Sequence, residues 1–194
     1  QESVRAGKVT TLEKVNTIAD GTAVKTPGTD IFPYLKENLD DIITVGDEEL
    51  VVSFLDMGEN HKMVVENSGL LTVAALKHLD VKNKKVVAIL SGGNMDVITM
   101  SSVVQQGLVL RDRIFSVSVL LPDKPGELSR VADVIAKQNG NVIKLEHNQF
   151  VSINRNAEVE LRITMEAFGT EHKNQIISSL QQNGYQPKLI RASI

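Results

Sequence analysis

The most constraining feature of this sequence is the strict alternation of apolar and polar residues in "EVELRITME", residues 158–166. Side chains of a β-strand point alternately to opposite faces, so this period predicts a strand with one buried face. The stretch "RIFSVSVLL", residues 113–121, has the same period. The residues expected to face the core of these two strands are Val159, Leu161, Ile163 and Met165, and Phe115, Val117, Val119 and Leu121.

In the second half of the chain, segments whose apolar residues recur at helical spacing alternate with segments whose apolar residues recur at strand spacing. In "PDKPGELSRVADVIAKQNG" the apolar residues recur at helical spacing, and Gly140 stands at the expected C-cap; the predicted buried positions are Leu128, Val131, Ala132 and Ile135. A second helix, "TEHKNQIISSLQQNG", ends at Gly184, and "NVIKLEHNQF" and "YQPKLI" complete the set of strands. The order βαββαβ predicts a ferredoxin-like fold for residues 111–194.

The sequence pattern of residues 1–110 predicts an α/β arrangement in which helices alternate with strands. The expected helices include "DIFPYLKENL" with Asp30 as its cap, "GDEELVVSFLDMG", and a segment whose apolar side is Leu71, Ala74, Ala75 and Leu79. The expected strands are "DIITV" and "KVVAIL", the second being continuously apolar as in a sheet buried on both faces. Two strands are few for such a sheet, so either residues 1–110 pack on a partner or, as we expect, the remaining strands lie upstream of Gln1. The domain boundary is predicted near "LVLRDR", between residues 110 and 111.

Composition excludes several classes of function. The 194 residues contain no cysteine, carry a formal charge of −3 and are 4% aromatic, which argues against disulfides, thiol chemistry and a nucleic-acid footprint. No apolar run reaches the length of a membrane span. Four histidines are scattered without ligand spacing, so no metal site is expected. These features are typical of a cytoplasmic protein with no membrane or nucleic-acid partner.

The stretch "VVAILSGGNMD" places Ser91, Gly92, Gly93 and Asn94 between a predicted strand and a predicted helix. One interpretation is purely structural, with Asn94 capping the helix. The other is functional, because glycines allow a ligand to approach the backbone, a helix N-terminus favours an anion and the Ser91 hydroxyl can exchange a hydrogen bond. A nucleotide phosphate is disfavoured because no Walker lysine follows the glycines.

Four segments together resemble threonine ammonia-lyases, which are fold-type II pyridoxal-phosphate (PLP) enzymes. The segments are "TIADGTAVKTPGT", "DDIITVGDEEL", "MVVENSGLLTVAAL" and "VVAILSGGNMD". The resemblance implies that residues 1–110 are the C-terminal portion of a PLP-dependent catalytic domain. It implies that Ser91 hydrogen-bonds the pyridine nitrogen of the cofactor, with Gly92, Gly93 and Asn94 completing the loop. Glu66 would lie beside the ring, and an equally open alternative is that it caps the helix of "NSGLLTVAAL". The "NSG" at 67–69 departs from the small-residue "GAG" or "TAG" of relatives.

The resemblance also implies a reaction and shows what this sequence lacks. A neutral serine at the ring nitrogen makes the ring a milder electron sink than an aspartate would, which suits elimination from threonine to 2-oxobutanoate and ammonia. The family's Schiff-base lysine motif and its run of four glycines for the phosphate do not occur here. We therefore expect no catalytic residue in this chain, no stable retention of PLP and no turnover by the chain alone. Threonine and serine both remain open as the preferred substrate.

The second half resembles an ACT domain, through the D-x-P-G-x-L signature of Asp123, Pro125, Gly126 and Leu128 and the following "GNVI". That resemblance implies allosteric binding of a small amino acid by Asp123, Gly126, Leu128 and Asn141. The effector would be isoleucine or valine, as expected for regulation of isoleucine biosynthesis, in a homodimer or homotetramer. An open alternative is that the loop is only a turn and helix cap. An alternative for the whole chain is a non-catalytic amino-acid-binding regulatory module.

Overall fold

The computed structural model of the chain describes residues 1–148 and 158–192, and it divides into two compact units, Gln1–Gly107 and Leu108–Ile194. Among the described residues, the α-helices are α1 Glu2–Ala6, α2 Phe32–Asn38, α3 Asp47–Asp56, α4 Leu71–Ala75, α5 Val97–Leu110, α6 Glu127–Lys137 and α7 Thr170–Gln182. The strands are β1 Ile114–Leu121, β2 Asn141–Asn148, β3 Val159–Glu166 and β4 Lys188–Ile190. No helix within those ranges is both long enough and apolar enough to cross a bilayer.

The second unit is built on one antiparallel sheet whose described strands lie in the order β2-β3-β1-β4. Strand β1 pairs with β3 along its whole length, from Ile114 opposite Glu166 to Leu121 opposite Val159. This confirms the βαββαβ order and the inward face predicted for β1 and β3. The predicted alternation of burial is incomplete, because Ser116, Ser118 and Thr164 on the opposite face are buried as well. The inward residues of both strands are buried in one core cluster with side chains of α6 and α7. The predicted end of β2 at residues 149 and 150 lies outside the described residues.

Helix α6 is rotated slightly from its predicted face. Val131, Val134 and Ile135 are its buried residues, whereas Leu128 is 40% exposed and Ala132 is exposed. The predicted C-cap at Gly140 is also wrong, because Asn139 takes the left-handed conformation (φ 57°) at the end of the helix. Gly140 is small for a packing reason, since a Cβ there would stand 2.7 Å from Ile135 Cγ2. At the end of α7, Gly184 has φ 86° and terminates the helix as predicted.

Helix α3 begins as the acidic "GDEEL" predicts. The Glu49 carboxylate accepts a hydrogen bond from the Gly46 amide at 2.8 Å, which satisfies one of the free amides at the helix start. This bond lowers the pKa of Glu49 below its ordinary value, and His78 contributes in the same direction. Asp47 binds the turn of "TIADG", accepting from the Thr17 hydroxyl at 2.6 Å and the Ile18 amide at 3.2 Å. By contrast Asp30 does not cap α2, whose preceding residue is Ile31.

The two strands predicted in the first unit are not strands. Residues 41–45 and 85–90 have no regular secondary structure and lack a ladder partner among the described residues. A strand needs a neighbour to bond its amides and carbonyls, and sequence period alone cannot supply one. The side chains of the second segment are correspondingly exposed, with Val87 at 89% and Ile89 at 69%.

Helix α5 follows the serine–glycine–glycine–asparagine segment and packs closely within the first unit. Its residue Gly107 is buried, and a Cβ there would stand 2.6 Å from Leu55 Cδ1 of α3. The surrounding core cluster contains residues from α3, α4, α5 and the segments next to them: Ala19, Leu50, Val51, Phe54, Met57, Val65, Leu70, Ala74 and Val103.

Candidate functional site

The glycine segment is held by Glu66. The Gly92 carbonyl accepts from the Glu66 amide at 3.1 Å, and the Glu66 carboxylate Oε2 accepts from the Asn94 amide at 3.2 Å. A Cβ on Gly92 would stand 2.5 Å from the Glu66 Cδ atom, and one on Gly69 would stand 3.1 Å from the Gly92 nitrogen. The structure therefore brings Glu66, Gly92 and Asn94 together. It also explains the glycine at position 92 without a ligand, because a larger residue there would clash with the Glu66 carboxylate.

Two local predictions are corrected here. Glu66 does not cap the helical turn that follows it, because its side chain makes no cap bond there and turns to Asn94 instead. Asn94 does not cap α5, because Asp96 Oδ1 accepts from the Ile98 amide at 2.9 Å and the Thr99 amide at 3.0 Å. The hydrogen bonds from Thr99, and then that from Ile98, lower the pKa of Asp96. The residue that caps α5 is therefore Asp96, two positions after the Asn94 that the sequence pattern favoured.

Ser91 is exposed, and its hydroxyl makes no hydrogen bond with the described residues. Gly93 is exposed as well, and a Cβ there would meet nothing nearer than the Val64 carbonyl oxygen at 3.4 Å. A free hydroxyl beside open backbone fits a ring nitrogen that needs one hydrogen-bond partner. Of the five predicted cofactor residues, Ser91 and Gly93 thus remain open to a ligand, while Gly92, Asn94 and Glu66 bind one another.

A cavity of about 370 Å³ lies next to this segment and is lined by Glu66 and Asn94 but not by Ser91, Gly92 or Gly93. Asn67 also lines it, with its side chain 4% exposed. The Asn67 Nδ2 group donates to the Ile18 carbonyl at 3.0 Å, whereas its Oδ1 atom is buried without a partner among the described residues. Sequence reasoning gave Asn67 no role, although "NSG" in place of "GAG" was the signal that could have found it.

In the second unit, the four predicted effector residues do not meet. Asp123, Gly126 and Leu128 are exposed in and after the loop that follows Leu121, the last residue of β1. Asn141 pairs with Glu166, which lies opposite Ile114, the first residue of β1. An eight-residue strand separates the two ends, roughly 23 Å at the usual rise per residue. One copy of the chain therefore cannot contact a single small amino acid with all four residues.

The D-x-P-G-x-L signature predicts that Pro125 lies in the first turn of the following helix, and the structure differs. Gly126 takes φ 92° and precedes the first residue of α6, so Pro125 lies before the helix instead of in its first turn. A Cβ at Gly126 would meet no atom within 4 Å. The left-handed backbone conformation favours a glycine at position 126, and the space around this residue is open.

A larger cavity of about 880 Å³ lies between α6 and the segment leading into β4, and none of the four predicted effector residues lines it. It carries both charges, with Arg130 bound to Glu127 at 2.7 Å and Lys188 on the β4 side. Tyr185 also lines it, and burial, followed by the nearby Glu127 carboxylate, raises the pKa of its hydroxyl. The sequence pattern did not indicate these residues, because they come from separate elements and form no motif.

Comparison with known proteins identifies the class to which the first unit belongs. Residues 1–92 match the family described as pyridoxal-phosphate dependent enzyme, and this part of the chain is a member of that fold-type II family. The second unit lies outside that match.

Within the class, the similar proteins are threonine ammonia-lyases. The chain is 37% identical to an L-threonine ammonia-lyase of Geobacter sulfurreducens over 94% of this chain and 46% of that protein. It is 32% identical to one of Thermotoga maritima over 97% of this chain and 47% of that protein. Among solved structures, the processed form of threonine deaminase isoform 2 from Solanum lycopersicum aligns with a TM-score of 0.50 at 28% identity, over 54% of this chain and 32% of that one. The chain thus spans about half the length of the curated relatives it matches.

Proposed function

We propose that this chain forms one part of a PLP-dependent threonine ammonia-lyase, in which residues 1–107 provide a wall of the cofactor site. The observation that carries the proposal is the exposed Ser91 hydroxyl, which is free of hydrogen bonds with the described residues and stands in a segment that matches lyases. When bound, PLP supplies an electron sink for charge developing at the α-carbon of an amino acid. Ser91 would hold the ring nitrogen by one neutral hydrogen bond.

Glu66 would support that wall without touching the reacting atoms. Its carboxylate fixes the Asn94 amide, and its amide fixes the Gly92 carbonyl. Both bonds lie beside Ser91 in the chain, so they restrict where the Ser91 hydroxyl points. A site residue whose neighbours are fixed in this way loses less conformational entropy when it binds a ligand.

The segment of residues 85–90 supports a larger parent protein. It leads directly to Ser91, its backbone has no ladder partner among the described residues, and Val86, Val87 and Ile89 are all exposed. Exposed apolar side chains on a backbone segment that has no ladder partner favour addition to a sheet. We propose that strands from further polypeptide of the parent lyase pair with this segment and bring the missing lysine and phosphate loop to Ser91.

The proposal is tested with a chimera. The part of the Geobacter sulfurreducens relative that this chain does not match is fused ahead of residues 1–194, and ammonia release from threonine is measured. We expect activity in the chimera and, for Ser91→Ala, a loss of about three- to tenfold in kcat/KM, the worth of one neutral hydrogen bond. Ser101→Ala, an exposed serine in α5, is the matched control and should leave kcat/KM unchanged. Equal activity of the Ser91→Ala and parent chimeras would refute the assigned role.

We further propose that residues 108–194 are an ACT-type unit that binds a small amino acid and regulates the lyase. The described sheet order and helices support this, as does a cavity that offers both a guanidinium and a carboxylate. Such a pair can bind the carboxylate and ammonium groups of a free amino acid. The loop of Asp123 and the cavity of Arg130 are alternative positions for it.

Calorimetric titration of the chain with isoleucine, valine, threonine and serine tests this regulation. We expect heat from isoleucine or valine. Arg130→Ala abolishes it if the effector occupies the cavity, and Asp123→Ala abolishes it if the effector occupies the loop. Absence of heat from all four amino acids would refute the regulatory proposal and leave the lyase proposal untouched.

A further inference from the structure

His172 joins two separate segments of the second unit through both nitrogens of its ring. The Phe168 amide donates to Nδ1 at 3.1 Å, and the other ring nitrogen, Nε2, hydrogen-bonds the Gln138 carbonyl. Phe168 comes shortly after β3, Gln138 follows the last residue of α6, and His172 itself lies in the first turn of α7. We call these two hydrogen bonds the His172 bridge.

The two backbone partners define the protonation state of the His172 ring. A backbone amide can only donate and a backbone carbonyl can only accept, so Nδ1 must offer a lone pair and Nε2 must carry a proton. The neutral imidazole with its proton on Nε2 meets both requirements. A proton on Nδ1 would place a second N–H group against the Phe168 N–H group and remove its acceptor. The imidazolium therefore keeps the bond to Gln138 and loses the bond to Phe168.

The charged side chains around the ring are engaged elsewhere or do not bond to it. Those on the surrounding elements are Lys137 at the end of α6, Glu166 at the end of β3, Asp112 and Arg113 before β1, and Glu171 and Lys173 on α7. Asp112 accepts from Thr170 and Lys173, both at 2.7 Å, and Glu166 accepts from Asn141 at 2.8 Å. None of the charged side chains in the described part of the chain hydrogen-bonds the His172 ring. The protonation of the ring is therefore coupled most directly to the Phe168 amide.

The turn that contains Phe168 forms part of a cavity wall. Ala167 and Phe168 line a cavity of about 270 Å³ together with Asn139 and Asn141. The Phe168 side chain is 86% exposed, and its ring stacks on that of His172 with the centroids 4.8 Å apart. Because so little of this side chain is packed elsewhere, its position depends on the stack and on the His172 bridge.

We infer that His172 is a pH-sensitive switch, which releases the Phe168 amide when Nδ1 takes up a proton and thereby changes the wall of this cavity. Imidazole is the side chain that ordinarily changes its charge between about pH 5 and 8. The bond to Phe168 is present at the alkaline end of that range, where the ring is neutral, and is lost at the acid end. The neighbouring Ala167 amide donates to the Arg113 carbonyl at 2.8 Å, and this acceptor does not titrate, so the release is confined to Phe168.

The test is an NMR titration of the ¹⁵N-labelled chain from pH 8 to pH 5. The ring nitrogen shifts of His172 report its tautomer, the Phe168 amide reports the hydrogen bond, and the Ala167 amide is the internal control. At pH 8 we expect a proton on Nε2 and none on Nδ1. As the ring takes up its second proton, the Phe168 amide should shift with the same midpoint. Its protection against hydrogen exchange, corrected for the intrinsic pH dependence, should fall about five- to tenfold, as expected for loss of one hydrogen bond, while Ala167 keeps its protection.

Two variants separate this switch from other effects of pH. His172→Gln retains a donor and an acceptor but cannot titrate, so its Phe168 amide should no longer respond to pH. His147→Gln is the matched control, because His147 is exposed on β2 and its ring makes no hydrogen bond with the described residues. It should respond like the parent chain. If His172→Gln does not fold, the titration of the parent chain decides the question.

The inference is overturned if the parent chain carries its ring proton on Nδ1 at pH 8, or if the Phe168 amide does not follow the protonation of His172. It is equally overturned if Ala167 loses as much protection as Phe168, if the response persists in His172→Gln, or if it disappears in His147→Gln. All of these residues lie within Leu108–Ile194 and none of the measurements uses enzyme activity. Failure here therefore leaves the lyase proposal standing.

Discussion

Substitution of Gly107 by alanine should destabilise the first unit. The added Cβ would stand 2.6 Å from Leu55 Cδ1, 2.7 Å from Leu55 Cγ and 3.4 Å from Val51 Cγ1. Leu55 and Val51 are 5% and 2% exposed, so neither can move into solvent. Overpacking of this kind costs about 1–3 kcal/mol, and the better helix propensity of alanine returns about 1 kcal/mol. We expect a net loss of up to about 2 kcal/mol in the free energy of unfolding, measured by urea denaturation.

The same substitution should reverse its sign when Leu55 is truncated. Leu55→Ala alone should cost about 2–5 kcal/mol, because it leaves a cavity. In that background the Gly107 methyl group keeps only an ordinary contact with Val51 Cγ1 at 3.4 Å, so Gly107→Ala should stabilise the chain by about 1 kcal/mol through helix propensity. Gln106→Ala, at the neighbouring exposed position of α5, serves as the control and should change little in either background. If Gly107→Ala destabilises both backgrounds equally, the close approach of α5 to α3 is refuted.

Three further substitutions test other contacts. Burial tends to raise the pKa of Asp112, but the Lys173 ammonium at 2.7 Å and the Thr170 hydroxyl at 2.7 Å outweigh it and lower that pKa. The resulting stabilisation is present above the ordinary carboxyl pKa of about 3.9 and is lost as pH falls through the lower folded value. Asp112→Asn should therefore cost about 1 kcal/mol at neutral pH; denaturation curves of the two proteins should converge in acid, and a difference that persists there would contradict the ion pair. Glu66→Ala should speed hydrogen exchange of the Asn94 amide by about five- to tenfold, as expected for loss of one hydrogen bond, and unchanged exchange would show that the carboxylate does not hold the segment. Gly140→Ala should lower the free energy of unfolding by about 1–3 kcal/mol, because its Cβ would stand 2.7 Å from Ile135 Cγ2 and 3.0 Å from Ile176 Cδ1; an unchanged urea midpoint would contradict that packing.

The second unit was the more predictable half because its sheet is internal to the segment. Alternation in β1 and β3 selects one buried face, and the described partners of both strands are within the same 87 residues, Leu108–Ile194. The strand predicted around Val87 is wrong for the opposite reason. Its apolar run predicts a strand buried on both faces, but a strand is defined by its neighbours, and no described residue of the first unit pairs with it.

Caps and left-handed positions were predicted less well than the elements that they end. Asp96 and Asn139 hold positions that the sequence pattern gave to Asn94 and Gly140. Several nearby residues can satisfy the same amide or adopt the same backbone conformation, and packing decides between them. Asn67 shows what the sequence could not predict at the candidate site, because only the structure shows that its Oδ1 atom is buried without a hydrogen-bond partner among the described residues. That is a three-dimensional property which a motif cannot express.

The central claim is that Ser91 belongs to a PLP lyase site whose covalent and phosphate-binding parts are not in these residues. The most direct measurement compares ammonia release from threonine, with saturating PLP, by residues 1–194 alone and by the Geobacter chimera. We predict no release above the rate of PLP in buffer for residues 1–194, and enzymatic release for the chimera. Deamination of threonine by residues 1–194 alone would contradict it, since a complete site would then exist in a chain that has neither of the family's two anchoring motifs.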